Sequence, residues 1–319
     1  MQNGKTIEEL EKILALPVRE TVQKAHLEIG KLQEIRLGAG RPLTLWYRGR
    51  EMFLTEEGRE TLEWHRARMV TEQEVRETLE FAGNYSLYAY EDEIRQGYLT
   101  LPGGHRIGVA GRVVTEEGRV KTLRHISSLN IRVAHEVRGC ADGVLPWLYG
   151  PEGLLHTLLL SPPRCGKTTL LRDLIRQISD GKVGMRGLRV GVVDERSEIC
   201  GCYLGIPGND VGLRTDILDG CPKAEGMLML VRSMAPEVLA VDEIGGAADV
   251  AALETALFCG CRILATVHGT DLGDLQQKPL FARLLQEEIF ERFVVLDARH
   301  GPGTVRKILD GKGKVLCSS

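Results

Sequence analysis

Residues 154–169 read Leu-Leu-His-Thr-Leu-Leu-Leu-Ser-Pro-Pro-Arg-Cys-Gly-Lys-Thr-Thr. Leu154–Leu160 has the length and apolar character of a buried strand. Past the loop, Leu170, Leu171, Leu174, Ile175 and Ile178 fall at helical spacing, which predicts an amphipathic helix over Lys167–Ile178. Between the two, Ser161-Pro162-Pro163-Arg164-Cys165-Gly166-Lys167-Thr168 fits G-x-x-x-x-G-K-[ST] at every defined position but the first. A strand, a turn with a glycine and a helix start make a cradle for a polyphosphate. Backbone N–H groups and the positive helix end face the anion. Gly166 permits close backbone approach. Lys167 is placed for the β- and γ-phosphates, the Thr168 hydroxyl for Mg²⁺, and Thr169 for the α-phosphate. Ser161 stands where the pattern has Gly. If that position needs positive φ, serine costs about 1–2 kcal/mol there.

Three further strands are expected to end in polar groups. Val238-Leu239-Ala240-Val241-Asp242-Glu243 closes an apolar strand with two acids. Asp242 suits Mg²⁺, and Glu243 suits a water-polarising base. Two carboxylates at a strand end are otherwise a costly neighbour pair. Ile263-Leu264-Ala265-Thr266-Val267-His268-Gly269 delivers His268 to the same kind of edge, as a γ-phosphate sensor or as a structural cap. Val192-Val193-Asp194-Glu195-Arg196-Ser197-Glu198 offers Asp194 or Glu195 to Mg²⁺ or water, with Arg196 orienting them or reaching a neighbouring subunit. The alternative there is an ordinary salt-bridged loop.

These apolar strands alternate with helices expected at Lys223–Met234 and Ala247–Phe258. With further strands at Leu188–Val193 and Phe293–Leu296, they predict an α/β domain around a predominantly parallel sheet. Val305–Leu309 and Lys314–Cys317, across Asp310-Gly311-Lys312-Gly313, predict a closing hairpin. The Gly/Pro-rich stretch 139–153 marks a linker, which divides the chain into domains 1–140 and 141–319. The first reads as a smaller α+β domain. It has a helix over Ile7–Leu14, strands within Glu34–Tyr47, and a helix over Thr71–Tyr90 opened by a Thr71/Glu74 capping box. Strands are expected at Tyr98–Leu101, Arg106–Val114 and Asn130–Val133.

Composition sets the class. The chain has 319 residues, 43% of them hydrophobic and 27% charged, which fits folded domains rather than disorder. Net charge is −3. Residues 1–150 hold 21 basic and 22 acidic groups and the remainder 20 and 22, so no basic arm points to nucleic acid. No apolar run approaches the roughly 18–20 residues of a bilayer span, and the polar start, MQNGKTIEELEKIL, lacks a signal-peptide core. The expectation is a cytosolic protein with its eight cysteines as thiols. Cys200-Gly-Cys202 and Cys259-Gly-Cys261 are spaced too closely for the usual zinc pattern.

The order of the loop, D-E-R-S-E-I, V-L-A-V-D-E-I-G and A-T-V-H-G resembles the secretion-type (type II/IV) RecA-like ATPases. It is most similar to the stage III sporulation protein AA family. EIRLGAGRPL (34–43), GGHRIGVAGRVV (103–114), SSLNIRVAHEV (127–137) and DERSEICGCYLGIPGNDVGLRTDIL (194–218) extend the resemblance over nearly the whole chain. It implies a RecA-like core that uses ATP and Mg²⁺. It also implies a hexameric ring with nucleotide between subunits. The implied setting is cytoplasmic and peripheral to the membrane on the mother-cell side, energising channel proteins between mother cell and forespore. By similarity, Glu195 takes the acidic-box position and His268 the histidine-box position. Arg132 is the first candidate to act as an arginine finger, ahead of Arg138 and Arg214. Two other classes stay open: a nucleic-acid motor on the same core, and an ATP-binding scaffold with little turnover. No N-K-x-D base-reading motif supports a GTPase, and a small-molecule kinase has no use for Glu243 beside Asp242.

Overall fold

In the first part of the chain buried and exposed residues alternate along Ile35–Leu37 and Leu45–Tyr47, the pattern of strands with one covered face. The computed structural model describes residues 7–85, 90–163, 165–182, 184–297, 299 and 303–318. It divides into two units: Met1–His135 with Gly201–Gly208, and Glu136–Cys200 with Asn209–Ser319.

In the first unit, helices α1 (Ile7–Ile13) and α2 (Leu16–Lys24) lead into β1 (Leu32–Gly38), β2 (Thr44–Tyr47), β3 (Arg50–Leu54) and β4 (Glu60–Thr61). Helices α3 (Glu72–Ala82) and α4 (Glu91–Arg95) precede β5 (Tyr98–Thr100), β6 (Arg106–Glu116) and β7 (Arg119–Arg132). The strands form an antiparallel sheet in the order β4-β3-β2-β1-β7-β6-β5. Ile35, Leu37, Leu45 and Ile131 of the sheet share a core with Leu10, Val18 and Val75 of the helices.

The capping box forms as the sequence suggests: Thr71 accepts from the Glu74 amide, and Glu74 accepts from the Thr71 amide. The helix behind it is shorter than the spacing predicts. It stops at Ala82, and Asn84 and Tyr85 turn into positive φ. Residues 86–89, inside the expected helix, lie outside the described residues. The strand expected at Asn130–Val133 is the end of the longer β7. Together β6 and β7 make one hairpin, whose outer part carries no buried alternation.

The second unit is built as β8 (Thr157–Ser161), α5 (Lys167–Asp180), β9 (Val190–Asp194), β10 (Thr215–Asp219), α6 (Lys223–Ser233), β11 (Val238–Val241), α7 (Ala247–Phe258), β12 (Arg262–His268), α8 (Leu272–Gln276), α9 (Pro279–Gln286), β13 (Arg292–Asp297), β14 (Thr304–Asp310) and β15 (Val315–Ser318). The sheet order is β10-β9-β11-β12-β8-β13-β14-β15. The first six strands are parallel and the last two close as an antiparallel hairpin. Strands β8, β9 and β11 are buried at every position, as a sheet covered on both faces requires. Leu170, Leu171, Leu174, Ile175 and Ile178 of α5 are all buried. Two details depart from the sequence reading. Leu154 belongs to a short ribbon with Tyr149–Gly150, so β8 starts later than expected. The edge strand β10 carries no run of apolar residues and was not expected at all. This topology brings the carboxyl ends of β8, β9, β11 and β12 to one edge, where parallel sheets hold ligands.

Candidate active site

The loop after β8 is set by one glycine. Gly166 has φ of 85° and caps α5, a conformation that a β-carbon makes costly. Ser161 has no such demand. It continues β8, pairs with His268 of β12, and donates its hydroxyl to the Pro162 carbonyl at 2.7 Å. Serine in place of glycine is therefore unstrained, because the positive φ lies five residues later. Pro162 and Pro163 have no N–H, so they shape the loop and leave donation to the amides of Cys165, Gly166, Lys167 and Thr168. Arg164 lies outside the described residues. Cys165 is buried, and its carbonyl accepts from the Gly303 amide at 2.7 Å.

Lys167, Thr168, Asp242, Glu243 and His268 come together. The Lys167 side chain is 5% exposed, and its ammonium lies 3.1 Å from His268 Nδ1. An ammonium only donates, so Nδ1 accepts and Nε2–H faces Glu243 Oε1 at 2.8 Å. The other Glu243 oxygen takes Arg196 Nη1 at 3.2 Å. A chain of contacts thus runs Lys167–His268–Glu243–Arg196. Beside it, the Thr168 hydroxyl donates to Asp242 Oδ2 at 2.6 Å. Hydroxyl and carboxylate oxygens this close form a hard-oxygen pair of the kind that suits Mg²⁺, which takes one or two protein oxygens plus phosphate and water. Glu243 itself has φ of 55°, a left-handed backbone that side chains rarely adopt.

The β9 end divides its two acids. Asp194 is buried and turned inward. Its carboxylate accepts from the amides of Glu198 (2.9 Å), Ile199 (3.0 Å) and Cys200 (2.7 Å). Burial pushes its carboxyl up from the ordinary value, against those amides, which favour the charged form. Asp194 therefore ties down the 195–200 loop and does not face Mg²⁺ or water. We expect Asp194→Ala to destabilise the unit by about 3–5 kcal/mol, since each orphaned buried donor costs about 1–3 kcal/mol. A thermal melt equal to that of the unsubstituted chain would contradict this.

Glu195 points instead into a small cleft with Arg196, Lys223, Asp242 and Glu243, and it is ion-paired to Lys223. Lys223 had no signal in the sequence, since it opens α6 far along the chain. The arginines separate as well. Arg214 donates to the Ser179 carbonyl at 3.0 Å, where the carbonyl end of α5 attracts a cation. Arg138 is paired with Asp210 at 3.1 Å. Arg132 belongs to the first unit, is exposed, and lies opposite Glu34 and Arg106 on neighbouring strands. Thr169, on the first turn of α5, is half-buried. A larger groove of about 650 Å³ opens at the amino edge of the same sheet, among Tyr149, Arg186, Glu237 and Cys259. It contains none of these residues.

The family described as sporulation stage III, protein AA, matches residues 4–316. The chain is 46% identical over 286 residues to stage III sporulation protein AA of Bacillus subtilis (strain 168), covering 90% of this chain and 89% of that one. Among solved structures it is similar to the ATPase DotB of Legionella pneumophila, with a TM-score of 0.62, 13% identity, and 94% and 82% of the two chains covered. It is also similar to the pilus retraction motor PilT, solved with ADP, with a TM-score of 0.52, 17% identity, and 88% and 78% covered. At such identities these likenesses carry the fold: an α/β core of the secretion-ATPase type preceded by a smaller domain.

Proposed function

The chain belongs to the sporulation stage III protein AA family, and from that premise we propose that it is a magnesium-dependent ATPase of the secretion-motor type. The observation that carries the reading is the meeting of Thr168 with Asp242, and of Lys167 with Glu243 through His268, at one sheet edge.

In this reading the amides after Pro163 and the start of α5 hold the ATP phosphates, with Lys167 adding its charge. Thr168 and Asp242 hold Mg²⁺, which supplies neutralising charge to the phosphate oxygens. Glu243 orients the attacking water and takes up its proton. His268 gives up Lys167 to the phosphates and is left beside the γ-phosphate, still bonded to Glu243. Glu195 and Arg196 flank that water from β9. Arg132 of a neighbouring copy completes the site as an arginine finger, a role worth about 10³–10⁵ in rate. The assembly is a hexameric ring, cytoplasmic and peripheral to the membrane on the mother-cell side. Its strokes energise channel proteins between mother cell and forespore. Among the described residues no helix is long and apolar enough to cross a membrane.

The test is ATP hydrolysis across a protein concentration series. The expected result is a rate per subunit that rises with concentration, since sites shared between copies form only on assembly. ATP binding without hydrolysis at any concentration would favour the scaffold reading. Marked stimulation by DNA or RNA would favour a nucleic-acid motor.

A further inference from the structure

We infer that Thr266 is a positioning residue that sets the metal-side carboxylate and the water-orienting glutamate together. The inference rests on the ATPase reading above and assigns a role to a residue outside its machinery.

Strand β12 is otherwise apolar at its centre, and Thr266 is 0% exposed between Ala265 and Val267. A hydroxyl at such a place needs partners. It has two, and both belong to the site. Its oxygen accepts from the Glu243 amide at 2.9 Å, and its proton goes to Asp242 Oδ1. The Thr266 carbonyl accepts from the Ile244 amide at 2.9 Å. Three consecutive residues, 242 to 244, are therefore pinned to one. The ladder explains the match. Ala265 pairs with Val241, so the next step along the two parallel strands sets Thr266 beside Asp242.

The consequences follow from valence. Asp242 has one oxygen bonded to Thr168 and the other to Thr266, which fixes the plane of its carboxylate. Glu243 stands in a left-handed backbone that persists only where surrounding bonds over-determine it. The bond from its amide to Thr266 is one of those that hold it there. A hydroxyl has a single proton. Donating that proton to Asp242 leaves its lone pairs to the Glu243 amide, so one group orders both acids. Valine has nearly the same shape and can do neither. Serine keeps the hydroxyl and loses only a methyl group.

The test uses the full chain with Thr266→Val and Thr266→Ser. In Thr266→Val we expect kcat to fall about 10²-fold, the scale of a catalytic group displaced by about an ångström. ATP affinity should stay within about twofold, because the phosphate loop is untouched. The Mg²⁺ concentration for half-maximal nucleotide binding should rise. Hydrogen exchange at the Glu243 amide should quicken about tenfold, the loss of one net hydrogen bond, while Val241 in the strand interior is unchanged. Thr266→Ser should restore kcat and Glu243 protection to within about threefold. Unchanged kcat and Glu243 exchange in Thr266→Val would overturn the inference. So would a serine variant as impaired as the valine one, which would mean packing alone. If the unsubstituted chain does not hydrolyse ATP, the ATPase reading fails, and Glu243 exchange still decides whether Thr266 holds that residue.

Discussion

A Glu243→Gln chain is expected to bind ATP with near-normal affinity and to hydrolyse it about 10²–10⁴ times more slowly, the usual worth of a positioned general base. The substitution is nearly isosteric. Gln keeps a carbonyl oxygen to accept from His268 Nε2–H, so the contact at 2.8 Å has a replacement. It loses the negative charge and with it the capacity to take a proton from water. It also loses the ion pair to Arg196, which is largely exposed and contributes little to stability. The amide bond to Thr266, which helps hold the left-handed backbone, does not involve the side chain and is kept. Binding and turnover should therefore separate. In the presence of ATP the variant should accumulate as an assembled ring, visible by light scattering. A hydrolysis rate equal to that of the unsubstituted chain would remove Glu243 from the mechanism. A monomer in saturating ATP would count against sites shared between copies.

The legibility of this site in the sequence has a physical pattern. The loop 161–168, the acids at 242–243 and His268 could be read because charged residues seldom follow apolar strands without a use. The fold of the second unit could be read for the same reason, since strands buried on both faces leave continuous apolar runs. Thr266 could not. A β-branched residue in a strand looks like filler until its hydroxyl is found to meet two backbone-distant partners. Asp194 and Glu195 stay alternatives at that strand end in the sequence, because nothing local distinguishes an acid that faces solvent from one that accepts three amides farther along its own loop. Lys223 was missed because its partner, Glu195, is joined to it only by the fold. The first part of β7, residues 119–128, is not legible because none of its positions is fully buried, so it has no clear alternation to detect. What the sequence withholds is thus long-range polar pairing. What it displays is burial and the exceptions to burial.

Lys167→Ala is expected to lose function while keeping or gaining stability. The Lys167 ammonium is nearly buried, and its hydrogen-bond partner is a neutral-side imidazole nitrogen at 3.1 Å. Among the described residues no carboxylate lies within ion-pair distance of it. A cation held this way is costly until an anion arrives. Removing it relieves that cost and leaves no buried counter-charge behind, and alanine is the better helix former at the start of α5. The melting temperature of the variant should therefore equal or exceed that of the unsubstituted chain. Its affinity for ATP should fall about 10–10²-fold, from the loss of one charge-assisted bond of about 1.5–3 kcal/mol, and hydrolysis should fall to background. The two readouts move in opposite directions only if the lysine is kept for an anionic ligand at the expense of the empty fold. A variant that melts much earlier would make Lys167 a structural residue, and one that binds ATP as before would refute the phosphate-loop assignment itself.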